Sequence, residues 1–207
     1  GITTKFIDLA LKGGWIMVPI LLLSIIAMYI FFDRYFAIKK AGKFDTGLLE
    51  KIKIYITSGK IDEATNLCQR NSNPASRMLE KGISRIRRPL TDVNAAIENV
   101  GNLEISKLEK GLPVLASVAG GAPMIGFLGT VMGMIQAFYD MANAGNNIDV
   151  TLLSSGIYQA MVTTVAGLIV GIIAYFAYNI LVANVEKVVF KMEATTSEFM
   201  DLLNEPA

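Results

Sequence analysis

Three long runs of this chain carry no charged side chain: Trp15–Phe32, Gly111–Tyr139 and Val150–Val185. Apolar residues are continuous within each run rather than alternating with polar ones, which argues for helices and against the strands of a membrane barrel. At about 1.5 Å of rise per residue, each run can cross a hydrocarbon core roughly 30 Å thick. The first is barely long enough and the third has residues to spare. The expected class is an all-α membrane protein with transmembrane helices at 15–33, 111–140 and 150–182. A charged segment at 34–110 separates the first from the second, a short loop at 141–149 joins the second to the third, and a helical tail occupies 183–207.

Outside the three runs the pattern stays helical. In 1–14, Phe6, Leu9 and Ala10 share one side while Lys5, Asp8 and Lys12 occupy the rest, as in a short helix lying in the membrane interface. The charged segment holds helical patches at Thr46–Thr57, Lys60–Arg70, Pro74–Arg87 and Thr91–Lys110, separated by Gly59, the Asn71–Pro74 turn and Pro89. Thr91 or Asp92 is the expected N-cap of a helix that runs on into the second crossing. Val185, Val188, Met192 and Phe199 keep helical spacing in the tail. The third helix should therefore continue well past the bilayer and bundle with copies of the chain.

Composition and charge add direction. The 207 residues are 53% hydrophobic and the mean hydropathy is +0.47, high for a soluble domain. A net charge of +1 conceals strong segregation: Asp33–Gly111 holds fifteen Lys and Arg, the Asp140–Asp149 loop holds none, and the N-terminal arm has only Lys5 and Lys12. The positive-inside rule then places 34–110 and the tail in the cytoplasm, and the N-terminus and short loop outside. The first run meets Asp33 and Arg34 at once, with Lys39, Lys40 and Lys43 close behind and no A-x-A pattern, so it reads as a retained helix rather than a cleaved signal. The fifteen basic residues face ten acidic ones, which fits a solvated surface near anionic lipids better than nucleic-acid binding. Cys68 stands alone and there is no histidine. No disulfide framework, metal cluster, phosphate loop or nucleophile–base pair follows, so neither an enzyme nor a cofactor is expected. As the sole thiol, Cys68 offers a handle on sidedness: it should resist an impermeant maleimide in intact cells and react after permeabilisation.

The membrane runs carry a second pattern. Ala116, Ala119, Pro123, Gly126, Gly129, Thr130, Gly133 and Ala137 recur at spacings of three or four in the second run. Gly156, Ala160, Thr163, Thr164, Gly167, Gly171 and Ala174 do the same in the third, with bulky Ile157, Met161, Leu168 and Ile172 largely on the other side. Small faces let helix backbones approach closely in lipid. Gly126, Gly129, Gly133, Gly156, Gly167 and Gly171 are therefore expected packing positions. Polar side chains are few: Thr130, Gln136, Gln159, Thr163, Thr164 and Asn179. Counting inward from the short loop puts Thr130 and Gln159 nearly level, roughly 13 Å deep, with Thr164 about one and a half turns deeper. Two readings of the threonines stand side by side. Each hydroxyl bonds back to the carbonyl four residues earlier, or together they form a polar track that faces a pore or a partner helix.

The segment Ala122-Pro123-Met124-Ile125-Gly126-Phe127-Leu128-Gly129-Thr130-Val131-Met132-Gly133-Met134-Ile135, followed by Ala137-Phe138, resembles the second-helix signature of the ExbB/TolQ/MotA family. Gly156-Ile157-Tyr158-Gln159-Ala160 through Thr163-Thr164-Val165-Ala166-Gly167-Leu168 resembles its third helix. The three-helix layout is nearest to ExbB and TolQ, since MotA-type subunits have four. The resemblance implies a proton-channel and motor subunit of the bacterial inner membrane, built as a homopentamer. The second and third helices would line a central pore, with the first outside. The pore would hold the single transmembrane helices of two ExbD-like subunits, each bearing one essential Asp, and proton flow would drive TonB-dependent transport across the outer membrane through a TonB-like protein. Thr130 and Thr164 match the family's two pore threonines; with Gln159 and Thr163 they make up the expected pore-lining, proton-pathway set. At Gln159 the chain departs from familiar ExbB and TolQ members, which carry Glu there. Gln cannot titrate, although it can donate and accept hydrogen bonds. A TolQ-like subunit of the Tol envelope-integrity system and a non-conducting structural scaffold are the alternatives.

Overall fold

The computed structural model describes residues 1–145 and 149–205. Among these, every regular element is an α-helix: α1 (Ile2–Lys12), α2 (Met17–Ala41), α3 (Leu48–Thr57), α4 (Ile61–Arg70), α5 (Pro74–Ser84), α6 (Leu90–Leu108), α7 (Leu112–Asn143) and α8 (Val150–Asn204). Three helical stretches are long and apolar enough to cross a membrane: Met17–Ala41, the stretch Leu90–Asn143 that holds α6 and α7, and Val150–Asn204. The expected loop at 141–149 lies partly outside the described residues; Met141 to Asn143 belong to α7.

Two helix boundaries differ from expectation. The Pro89 carbonyl accepts the first helical bonds of α6, from Asp92 N at 2.9 Å and Val93 N at 3.2 Å, so Pro89 is the N-cap in place of Thr91 or Asp92. Its fixed φ suits a helix start, and Asp92 instead puts a negative charge into the first turn, against the positive end of the helix dipole. The helix also does not run unbroken into the second crossing. A turn at Glu109–Gly111 intervenes, with Gly111 at φ 85°, a left-handed conformation that glycine adopts without steric cost.

The chain divides into two units. The first joins Gly1–Phe32 to Gly111–Ile180. Small residues make up much of its interior: Ala27 of α2, Ala122 and Ala137 of α7, and Ala160, Ala174 and Ala177 of α8 are buried, beside the larger Ile20, Leu115 and Val118. Many of its bulky residues point outward, with Met124, Phe127 and Ile135 of α7 and Met161, Ile169 and Ile173 of α8 all exposed. A water-soluble bundle does the reverse; in lipid, close backbone packing rather than burial from water holds helices together. No residue of α1 is buried.

The second unit joins Asp33–Lys110 to the tail from Leu181, and it has a conventional apolar core. Ile52 of α3, Leu79 and Ile83 of α5, Ile97 of α6, and Leu181, Met192 and Phe199 of α8 are fully buried. The tail residues expected to keep helical spacing, Val185, Val188, Met192 and Phe199, are all inside. Pro74 opens α5, and the Asn73 side chain caps it by accepting from Ser76 N at 2.8 Å.

One buried ion pair ties α5 to α6. Glu104 is 4% exposed and accepts from Arg77 twice, Nε to Oε1 at 2.7 Å and Nη2 to Oε2 at 2.8 Å, with Lys107 Nζ at 3.6 Å. Burial pushes the Glu104 carboxyl up, but the hydrogen bond and charge of Arg77, with Lys107, outweigh it and hold the group below the ordinary glutamate value. The folded state thus favours the ionised form. Its contribution to stability is complete above the ordinary glutamate range and is lost as pH falls through the depressed folded-state value. Arg77→Ala should cost this unit about 2–3 kcal/mol, below the full figure for a buried pair because the Arg77 side chain is 40% exposed. Denaturant unfolding near neutral pH reads the loss, and the difference from the unsubstituted chain should shrink in acid.

Candidate functional site

The helices α7 and α8 run against each other along the two faces of small residues, and six glycines set how close they come. A Cβ on Gly126 would sit 2.7 Å from the Thr163 carbonyl oxygen and 3.1 Å from Gly167 Cα; one on Gly167 would sit 2.5 Å from the Ala122 carbonyl oxygen. Those neighbours are backbone and cannot rotate away. Gly133 faces Ala160, with 3.0 Å between its added Cβ and the alanine methyl, and Gly156 faces Ala137 at 2.6 Å. Gly129 faces Thr163 Oγ1 at 2.6 Å and Ile16 Cγ2 at 2.9 Å, so the segment leading into α2 reaches this contact as well. Opposite Gly171 lies Pro123, inside α7, together with the Ala119 carbonyl at 3.0 Å. Proline has no N–H to give Ala119 its helical bond.

This pairing sets the depth of the threonines and corrects the count from the loop. The first charge, Asp140, does not end α7; the helix continues to Asn143. Counting from Tyr139 was therefore one turn short. Thr130 is level with Thr164, not with Gln159, and their hydroxyls are in direct hydrogen-bond contact.

Three hydroxyls and two carbonyls make up the cluster. Thr130 Oγ1 lies 2.9 Å from the Ala160 oxygen and 3.3 Å from the Gly126 oxygen. Thr163 Oγ1 lies 2.7 Å from the Ala160 oxygen and 3.2 Å from that of Gly126. Thr164 Oγ1 reaches the same two at 3.5 and 3.4 Å. Each hydroxyl owns one proton, so these contacts are alternatives rather than a sum. The local bond to the carbonyl one turn back and the bond across to the other helix are both within reach, so the two readings of the threonines are not exclusive. Sequence spacing did not reveal the two carbonyls, although the glycine-rich face around Gly126 is what exposes them.

The three threonines are not equivalent. Thr163 is 1% exposed and packed within the chain, towards Ile16. Thr130 and Thr164 are half-buried, so this pair lies nearer the edge of the α7–α8 seam than Thr163 does. Gln159 is exposed, and its amide lies over Gly14, the φ 78° turn residue between α1 and α2. Lys12 Nζ stands 5.4 Å from the ring centre of neighbouring Tyr158. Among the described residues no hydrogen bond joins Gln159 to the cluster. Gln136, also exposed, donates to Asp140 Oδ1 at 3.0 Å instead.

Chemically the cluster donates and accepts hydrogen bonds and does nothing else. The three charge-free runs contain no Asp, Glu or His, and among the described residues no group of His, Cys, Asp or Glu could hold a metal ion.

The described residues thus form a helical protein with three stretches long and apolar enough to cross a membrane and a hydroxyl cluster where α7 meets α8. The model of the MotA/TolQ/ExbB proton channel family matches residues 70–194. The putative biopolymer transport protein ExbB-like 1 of Synechocystis sp. is 30% identical over 191 residues, covering 87% of this chain and 72% of that protein. The putative biopolymer transport protein ExbB homolog of Methanothermobacter thermautotrophicus is 27% identical over 183 residues, 88% of this chain and 64% of that one. The Tol-Pal system protein TolQ of Pseudomonas aeruginosa is 32% identical over 132 residues, 60% and 57% of the two chains. The chain belongs to the MotA/TolQ/ExbB proton channel family. It is a multi-pass membrane protein of a transport family, not an enzyme.

Proposed function

We propose that this chain is the inner-membrane channel subunit of an ExbB-like motor, coupling the proton gradient, with an ExbD-like partner, to TonB-dependent transport across the outer membrane. The observation that carries the reading is the half-buried Thr130–Thr164 hydroxyl pair in the α7–α8 seam, within a chain that has no titratable carboxylate or histidine in its three apolar runs. Such a chain can orient water or a partner helix but must borrow the group that holds the proton. A homopentamer with α7 and α8 lining the pore would turn the pair towards the partner's Asp. Thr163, buried within the chain, then positions the carbonyls beside the pair, and Gln159 fastens α8 to the α1–α2 turn. The second reading, a TolQ-like subunit of the Tol system, is favoured by the match to the TolQ of Pseudomonas aeruginosa. Purification of the chain with its native neighbours distinguishes them: an ExbD-like protein and TonB support the first, a TolR-like protein the second, and a monomer without either contradicts both.

The basic residues of 34–110 support a cytoplasmic location for that segment and a periplasmic N-terminus. Cys68 cannot report this, contrary to its expected use as a handle. It is 1% exposed, and burial, with the negative charge of Glu80 behind it, pushes its thiol up to about 12. The thiolate is the reactive form, so maleimide should fail to label native Cys68 even in permeabilised cells, and should label it on denaturation. With Cys68→Ala in the background, Ser58→Cys at an exposed position should react only after permeabilisation. Labelling of that variant in intact cells would overturn the orientation.

A further inference from the structure

The second unit contains a groove of about 320 Å³ between α2 and α8, floored by Ile38 and Val188. Lys39, Lys187 and Lys191 stand around it, with Tyr35 and Asn184 completing the polar wall. None of the described residues lining it is acidic. Helical spacing gathers the polar side chains: Tyr35 and Lys39 are four apart on α2, and the two charges Lys187 and Lys191 are four apart on α8. The Lys191 ammonium donates to the Gly42 carbonyl at 3.3 Å and lies 5.7 Å from the Phe44 ring centre. Neither contact neutralises its charge, and no ion pair involves any of the three lysines among the described residues. Five other basic residues of the same unit, Arg34, Lys51, Lys53, Arg77 and Lys107, each stand near a carboxylate.

We infer that this groove binds the anionic headgroup of a membrane phospholipid. Position along the chain favours a lipid over a soluble anion. Tyr35 follows the last apolar residue of the first charge-free run, Phe32, by three residues, and the third run ends at Val185, beside Asn184. At about 1.5 Å per residue along continuous helices, the lysines stand within roughly 10 Å of the ends of those runs, the depth at which phosphates begin. Three like charges in one groove repel one another, and a phosphate relieves that repulsion. The asparagine amide supplies a donor for its oxygens. The buried aliphatic floor suits the lysine stems, which lie along apolar surface and carry their charged ends to the interface.

The test is native mass spectrometry of the full chain, released from nanodiscs of equal phosphatidylglycerol and phosphatidylcholine. The unsubstituted chain should retain phosphatidylglycerol preferentially. Each of Lys39→Gln and Lys187→Gln should lower that preference about five-fold. Lys39→Arg with Lys187→Arg should keep it, which separates charge from folding. Lys51→Gln with Lys53→Gln, removing charge from α3, should leave it unchanged. A preference absent from the unsubstituted chain would overturn the inference, as would an equal fall in the α3 variant. Displacement of the lipid by millimolar glycerol phosphate would overturn it too, since the site would then belong to a soluble anion.

Discussion

Replacing Gly167 by leucine should separate α7 from α8 and abolish transport activity. The leucine Cβ alone would meet the Ala122 carbonyl at 2.5 Å and Gly126 Cα at 3.0 Å. Both are backbone atoms of a regular helix, so no rotamer relieves the clash and the whole helix must shift. Overpacking of this kind costs about 1–3 kcal/mol where side chains can adjust, and more where they cannot. Detergent-solubilised protein should lose on the order of 10 °C of thermal stability, and any homo-oligomer should weaken with it. Gly126→Leu should behave alike, because its Cβ would stand 2.7 Å from the Thr163 carbonyl. Gly120→Leu is the matched control: a Cβ at Gly120 meets nothing within 4 Å, so the α7–α8 contact should survive. Equal stability of the Gly167 and Gly120 variants would contradict the close backbone approach.

The second large effect concerns Thr130 and Thr164. Each replacement by valine keeps the shape and removes one hydroxyl. The Gly126 and Ala160 carbonyls remain within reach of the other hydroxyls, so stability should fall by only about 1 kcal/mol per change. On the pore reading, coupled transport should nevertheless fall at least ten-fold in either variant, because these are the two half-buried threonines nearest the edge of the seam. Thr163→Val separates the roles. That hydroxyl is buried in the chain, so its loss should cost similar stability with a smaller loss of transport. Growth on a substrate whose uptake needs the gradient, compared with thermal stability of the same variants, reads both. Full activity of the Thr130 and Thr164 variants would leave only the local hydrogen bonds.

Much of the fold is legible in the pattern of charge. Absence of Asp, Glu, Lys and Arg marks all three membrane runs, and the faces of small residues mark which sides of α7 and α8 meet. Neither signal fixes register. A helix does not stop at its first charge, so Asp140 misplaced the end of α7 by a turn and with it the level of Thr130. Sequence spacing also placed Thr163 with Thr164, though a step of one residue turns the side chain by about 100° around the helix. One residue is thereby buried and the other left half-buried. Gln159 sits beside a turn at Gly14 that is distant in sequence, and no local periodicity could have brought them together. The same holds for Cys68, whose burial depends on packing between helices. The Pro89 cap and the Gly111 turn carry local signals, a fixed φ and a missing Cβ, but side-chain capping preference favoured the threonine and aspartate instead.

The central claim is that this chain shapes a proton path but holds no proton within the membrane. Proton flux into proteoliposomes under an imposed gradient tests it most directly, comparing the chain alone, the chain with the proposed ExbD-like partner, and the same pair with the partner's membrane Asp changed to Asn. The account predicts flux at the level of empty liposomes from the chain alone, a clear rise with the partner, and a return to background with the Asn variant. Gradient-driven flux from the chain alone, well above empty liposomes, would contradict it.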